Sequence, residues 1–233
     1  MKLFKIADLY VGIDFKFETL KEQTPIYETD DKPEIIDIVV RASDEAIQNA
    51  RKNYPGLTDN NYEYLITGTG FYNVLIDFDG LMIHSSAVLY KDGVYLFSAD
   101  SGTGKSTHTQ LWLKAFGEEA QILNDDKPAV RIIDDKVYAY GTPWSGKTNL
   151  NINTKAELKG ICFIERGEKN EIKKVEPGQV IGDLFKQTMR PSDAQRMNKL
   201  IDTMNKLLNV VPVYRLKCNM DVEAAYVAYE GMK

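Results

Sequence analysis

Ala99, Asp100, Ser101, Gly102, Thr103, Gly104, Lys105 and Ser106 lie between an apolar run, VYLFSA, and a helix-like segment with no further break. Apart from Ala99 in place of the usual first glycine, they fit the phosphate-loop pattern G-x-x-x-x-G-K-[ST]. Polyphosphate binding is the chemistry that needs these types at this spacing. Gly102 and Gly104 let the backbone curl so that several N–H groups face one anion. A helix from Lys105 to Phe116, ended by Gly117, adds its positive end. Lys105 would reach the terminal phosphates, Ser106 would hold Mg2+ through its hydroxyl, and Thr107 follows in the same first turn.

A second group can supply carboxylates. Asn124-Asp125-Asp126 begins after apolar Ile122-Leu123, and Asp125 stands twenty residues beyond Lys105. Phosphate-loop enzymes need a carboxylate at a strand end to reach the metal. Two aspartates at one strand end repel unless they share a cation, which suits a metal ligand beside a general base. His84 precedes a hairpin whose second strand carries the loop, so it falls toward the loop end. The other histidine, His108, sits one turn inside the helix and reads as a surface or supporting residue. The Gly/Pro/Ser-rich run from Tyr140 to Asn149 presents Lys147, which could close over phosphates. Arg190, before a proline and a helix start, could fold over a transferring phosphoryl group.

These residues need elements to position them. GLMIHSSAVLY and GVYLFSA flank Lys91-Asp92-Gly93, and Asp-Gly is a hairpin signal. This predicts a strand over 82–90 beside one over 94–99. ELKGICFIERG and VPVYRLKC read as further strands. Residues 192–209 are the clearest helix: Ser192 can cap it, and Met197, Leu200, Ile201, Met204, Leu207 and Leu208 recur at helical spacing. DVEAAYVAYEGM is a last short helix. Residues 43–53 form a short helix begun by Ser43 or Asp44. The β-like runs KLFKIADLYVGIDFKF and EIIDIVVRA, split by the polar EQTPIYETDDKPE, make residues 1–78 a small N-terminal β-rich part. Residues 79–233 then form an α/β phosphate-loop domain.

Composition narrows the partners. The 233 residues carry a net charge of -5 with no long Lys/Arg block, so neither nucleic acid nor an anionic membrane is favoured. The first ten residues do not read as a signal peptide, and no apolar run nears the length that spans a bilayer. The expectation is a cytoplasmic protein. Cys162 and Cys218 form no CxxC pair and read as buried reduced thiols.

DSGTGKS followed by NDD, with a histidine on the preceding strand, resembles the C-terminal catalytic domain of HPr kinase/phosphorylase. That domain is itself similar to the nucleotide-binding core of phosphoenolpyruvate carboxykinase. HSSAV, NDDKPA, YGTPWSGK and VPVYRL also resemble bacterial HPr kinase-like proteins, some of which sit beside peptide-modification systems. The resemblance implies a P-loop kinase core of that type with a mixed β-sheet. ATP or another nucleoside triphosphate would bind at Ala99 to Ser106, with Mg2+ on Ser106 and Asp126. Asp125 would act near the acceptor hydroxyl, and His84 matches the family histidine. Thr107 stands where the family has Glu, and the family's later Arg-Gly-Leu-Gly signature is replaced by GTPWSGKTN. Dephosphorylation and HPr as substrate are therefore not expected. The expected activity is phosphoryl transfer to a hydroxyl, a serine above all, of a peptide, protein or small molecule, with Asp125, helped by His84, taking the proton. A nucleotide-sensing protein and a carboxykinase-like enzyme stay open as alternatives, and so does an oligomer.

Overall fold

The computed structural model describes residues 1–233. The N-terminal segment holds a three-stranded sheet of β1 (Lys2–Ile6), β2 (Leu9–Asp14) and β3 (Ile38–Arg41). Three helices accompany it: α1 (Glu18–Gln23), α2 (Asp44–Asn53) and α3 (Asp59–Leu75). The expectation of a β-rich segment is thus corrected, because helix exceeds strand here. The long α3 reads poorly as a helix: YEYLITGTGFYNV is crowded with Tyr, Thr, Ile and Gly. Its helical state rests on packing and on a capping box between Thr58 and Asn61. Gly68 and Gly70 let neighbours approach closely. A Cβ at Gly68 would stand 2.8 Å from Trp144 Cδ1, and one at Gly70 would stand 3.1 Å from Val40 Cγ1.

The remainder is built on a nine-stranded mixed sheet. Its strands are β4 (Gly80–Met82), β5 (Ser85–Tyr90), β6 (Gly93–Ser98), β7 (Ala120–Asn124), β8 (Ala129–Ile133), β9 (Lys136–Tyr140), β10 (Lys155–Arg166), β11 (Glu171–Val175) and β12 (Val213–Cys218). The helices are α4 (Lys105–Phe116), α5 (Ile181–Lys186), α6 (Ala194–Val210) and α7 (Glu223–Met232). β6, β10 and β12 run parallel side by side. On the other edge of β6, β5 is antiparallel, and β7 is antiparallel to β5, so β7 again runs with β6. The ends of β6, β7, β10 and β12 and the start of β5 therefore meet along one rim, where open α/β sheets place ligands.

Side chains alternate along the central strands, so both faces are buried. Val94, Leu96, Ile161 and Phe163 pack with Leu200, Met204 and Leu207 of α6. Tyr95, Phe97, Cys162 and Ile164 face Leu111 and Trp112 of α4 and Ala224, Ala225 and Ala228 of α7. The N-terminal segment is not a separate core: Phe4, Tyr27, Phe71 and Tyr72 share one cluster with Ala129, Tyr140 and Trp144. Two local expectations change. α6 is capped by the Asp193 carboxylate, which accepts from Arg196 N–H, and not by Ser192. The strand expected over 82–90 is broken after Met82. Ile83 bridges to Thr188, and His84 N–H donates to Gln187 O at 2.7 Å, so His84 leaves the ladder at the rim.

Candidate active site

The loop leaves β6 at Ala99 and enters α4 at Lys105. Gly102 and Gly104 take φ of +79° and +125°, which L side chains rarely adopt, and a Cβ at either would meet no atom within 4 Å. Glycine is thus required there by conformation, and the space beside it is open. α4 has no side-chain cap. The N–H groups of Gly102, Gly104, Lys105, Ser106 and Thr107 find no acceptor, while Thr103 N–H closes a turn onto Asp100 O. Orphan amides at an open helix start make an anion site.

Two side chains set the loop. Lys105 is buried, and its Nζ donates to Ala99 O at 2.9 Å. Burial lowers its pKa below the usual lysine value, and Asp126, Asp100 and Asp125 pull it back up. Arg166, at the end of β10, donates from Nε to Thr103 O at 3.2 Å and from Nη2 to Gly102 O at 2.5 Å. In a planar trans peptide the N–H opposes the C=O, so a carbonyl held by Arg166 turns Gly104 N–H toward the open side. Arg166 carries no motif, and the sequence analysis missed it. Ser101, Ser106 and Thr107 are exposed.

The acidic pair follows β7. Buried Asn124 explains why an Asn precedes it: its Oδ1 accepts from Asp126 N–H at 3.0 Å and Lys127 N–H at 2.7 Å, fixing the turn. Asp125 is buried; Oδ1 accepts from Ser86 Oγ at 2.6 Å and Oδ2 from Thr148 Oγ1 at 2.9 Å. With its own proton on Asp125, Ser86 Oγ accepts from Thr109 Oγ1 at 2.8 Å. A buried hydroxyl chain therefore ties Asp125 to the second turn of α4.

His84 meets Asp126 and not Asp125, contrary to expectation. Its Nε2 lies 3.1 Å from Asp126 Oδ1, and Lys127 Nζ pairs with Oδ2. Burial raises the Asp126 pKa, but the His84 hydrogen bond and Lys127 outweigh it and bring the carboxyl down to about 2. Gln187 orients the ring: Oε1 lies 3.1 Å from His84 Nδ1, and Nε2 donates to Asp100 Oδ1 at 3.1 Å. The break in the strand after Met82 aims the imidazole in this way.

The Tyr140–Asn149 run walls the pair on another side. A Cβ at Gly146, where φ is +77°, would meet Asp126 Cβ at 2.9 Å. Trp144 is fully buried and stacks on Phe71 at 4.8 Å. Gln23 Nε2 donates to Gly146 O at 3.1 Å, and Gly146 N–H donates to Tyr64 Oη at 2.8 Å. Lys147 is exposed and makes no ion pair. Arg190 is also exposed, its guanidinium 5.8 Å from the Phe185 ring centre, and no contact brings it to the loop. His108 lies inside, not on the surface: it is 2% exposed, between Trp112 and Cys218.

No protein-family model matches the chain, and no curated protein matches it. Among solved structures it is similar to the HPr(Ser) kinase/phosphatase of Coxiella burnetii, with a TM-score of 0.38 and 7% identity over 64% of this chain and 94% of that one. No helix is long and apolar enough to cross a membrane.

The donors suit a hard cation. The Ser106 hydroxyl is exposed, and Asp125 and Asp126 add carboxylate oxygen, as Mg2+ prefers. No group of three or more His, Cys, Asp or Glu is placed to cage a bare ion. Mg2+ held there would complete its shell with phosphate oxygens and water.

Proposed function

We propose that the chain is a Mg2+-dependent kinase transferring the terminal phosphoryl group of a nucleoside triphosphate to a hydroxyl, a serine of a peptide or protein above all. One observation carries the reading: unpaired amides around Gly102 and Gly104 face open space beside a buried lysine and a His84–Asp126 pair.

The chain's own groups divide the work. The amides of Gly102, Gly104, Lys105, Ser106 and Thr107 bind the phosphate oxygens, and Lys105 Nζ leaves Ala99 O to meet the terminal phosphates. Lys147, exposed on the neighbouring wall, would supply a further cation. Ser106 and Asp125 would hold Mg2+, which supplies neutralisation of charge on the phosphates when bound. The hydroxyl chain through Ser86 and Thr109 supports Asp125 in that role. His84 at Asp126 Oδ1 supports giving the base role to Asp126, so the two aspartates exchange the roles expected from the sequence. The acceptor oxygen forms a bond to the γ-phosphorus as the bond to the β-γ bridging oxygen breaks. The hydroxyl proton passes to the Asp126 carboxylate, and the nucleoside diphosphate carries away the electron pair. A carboxyl held near 2 is a weak base. It suffices where the transition state is loose and the proton moves late.

ATP turnover with a panel of serine peptides tests this. Lys105→Ala is expected to lower the rate at least about 100-fold. Asp126→Asn is expected to slow transfer while leaving MgATP affinity within about twofold, since it changes a group acting in the transition state. Full transfer by Asp126→Asn would remove the base assignment. MgATP binding without turnover on any acceptor would favour a nucleotide sensor.

A further inference from the structure

Asp126 offers two carboxylate oxygens, and each already has a partner. His84 Nε2 faces Oδ1, and Lys127 Nζ pairs with Oδ2. We propose that Lys127 is a further catalytic residue, its ammonium donating to an equatorial oxygen of the transferring phosphoryl group. The proposal rests on the reading of Asp126 as the base and of the loop as the phosphate site.

The two partners of Asp126 differ in what they have left to give. Both His84 ring nitrogens are taken, Nδ1 by Gln187 Oε1 and Nε2 by Asp126. Lys127 Nζ has three N–H donors and one protein acceptor, so two donors stay free. Its side chain is 23% exposed, and the ammonium lies 5.7 Å from the centre of the Tyr64 ring. A ring and a carboxylate hold the cation, and the rest of it opens to solvent.

The main chain of Lys127 is fixed more firmly than a surface lysine needs. Its N–H donates to Asn124 Oδ1 at 2.7 Å, and its carbonyl accepts from Thr142 Oγ1 at 2.9 Å and from Tyr72 Oη. Asn124, Thr142 and Tyr72 are all buried, so the core sets the point from which this side chain starts. The acceptor then decides what it can reach. An oxygen that gives its proton to Asp126 and attacks phosphorus in line stands beside that carboxylate, with the phosphoryl group next to it. A cation bonded to the same carboxylate lies within reach of the equatorial oxygens, over which charge spreads in the transition state. Among the carboxylates, Asp126 pulls hardest on Lys105, so the two lysines flank one acid. Lys127 keeps its proton throughout and forms no covalent bond.

Calorimetry on the full chain decides the matter, with MgADP alone and with MgADP plus aluminium fluoride, a mimic of the planar phosphoryl group. Lys127→Met keeps the length of the side chain and removes the charge. It is expected to leave MgADP affinity within about twofold and to weaken the fluoroaluminate complex about 100-fold, the usual worth of one such donor. Made in the Asp126→Asn chain, the same change is expected to cost at least about tenfold again, because a direct contact does not need the carboxylate. A fluoroaluminate complex as tight in Lys127→Met as in wild type overturns the proposal, as does equal weakening of MgADP alone. No further loss in the Asp126→Asn chain would mean that Lys127 acts only through Asp126, and overturns it too. Wild-type chain that binds MgADP but gains nothing from the fluoride overturns the transfer reading, and wild-type chain that binds no MgADP overturns the phosphate-binding reading; the proposal falls with either.

Discussion

At the scale of single residues, two histidines of one type have opposite environments. His84 stands at the rim with both ring nitrogens facing oxygens, Gln187 Oε1 and Asp126 Oδ1. His108 is sealed under α4 against Phe97 and Trp112, and burial lowers its pKa to about 4. An unfolded histidine titrates near 6.5. The unfolded chain therefore binds the extra proton between those values, and the folded chain does not. His108 contributes stability that is fully present above pH 6.5 and is lost as pH falls toward 4, roughly 3 kcal/mol in all. Thermal melts from pH 7 to pH 4.5 should show this loss. His108→Gln, which keeps an acceptor for Trp112, should flatten the profile; an unchanged profile would contradict the burial argument. The glycine turn before α4 and the Asp pair after β7 were legible as local structure because the types that mark them stand at short spacing. Arg166, Ser86 and Gln187 were not, because each acts through a partner brought near only by the sheet.

At the scale of elements, reading succeeded where local signals agreed. Lys91-Asp92-Gly93 does turn β5 into β6, and α4 runs from Lys105 to Phe116. It failed at α3, where propensity and structure conflict. What holds α3 is tertiary: Trp144 against Gly68, and Glu63 at its buried face. Glu63 is 2% exposed and caps the chain entering α1, accepting from Lys16 N–H at 2.7 Å and Phe17 N–H at 2.9 Å. Glu63→Ala takes the acceptor from the Lys16 and Phe17 N–H groups in two part-buried bonds and empties the site of a buried side chain, a loss of about 1.5 kcal/mol. Chemical denaturation should register a loss of that order, and a change under about 0.5 kcal/mol, the level of a surface substitution, would show the caps to be dispensable. The break after Met82 was equally invisible to pattern, since Ile83 prolongs the apolar run past it; the Ile83–Thr188 bridge and the bond of His84 N–H to Gln187 O mark it.

At the scale of the molecule, the N-terminal segment acts as a brace. It fills one core with Tyr140 and Trp144, and through Gln23, Tyr27 and Tyr64 it holds the Gly146–Asn151 stretch. That stretch carries Thr148 to Asp125. The carboxylate pair thus depends on residues far away in sequence, which no reading of local pattern could anticipate. A shared core predicts one cooperative unfolding transition by both tryptophan fluorescence and far-UV circular dichroism. Two separated transitions would mean that the segment folds independently of the site it braces.

Backbone amide hydrogen exchange, followed residue by residue by NMR with and without MgATP, bears most directly on the whole account. The N–H groups of Gly102, Gly104, Lys105, Ser106 and Thr107 have no acceptor in the free chain, so they should exchange fast alone and slow sharply when nucleotide binds. Nucleotide binding that leaves those five amides exchanging at their free rate would contradict it.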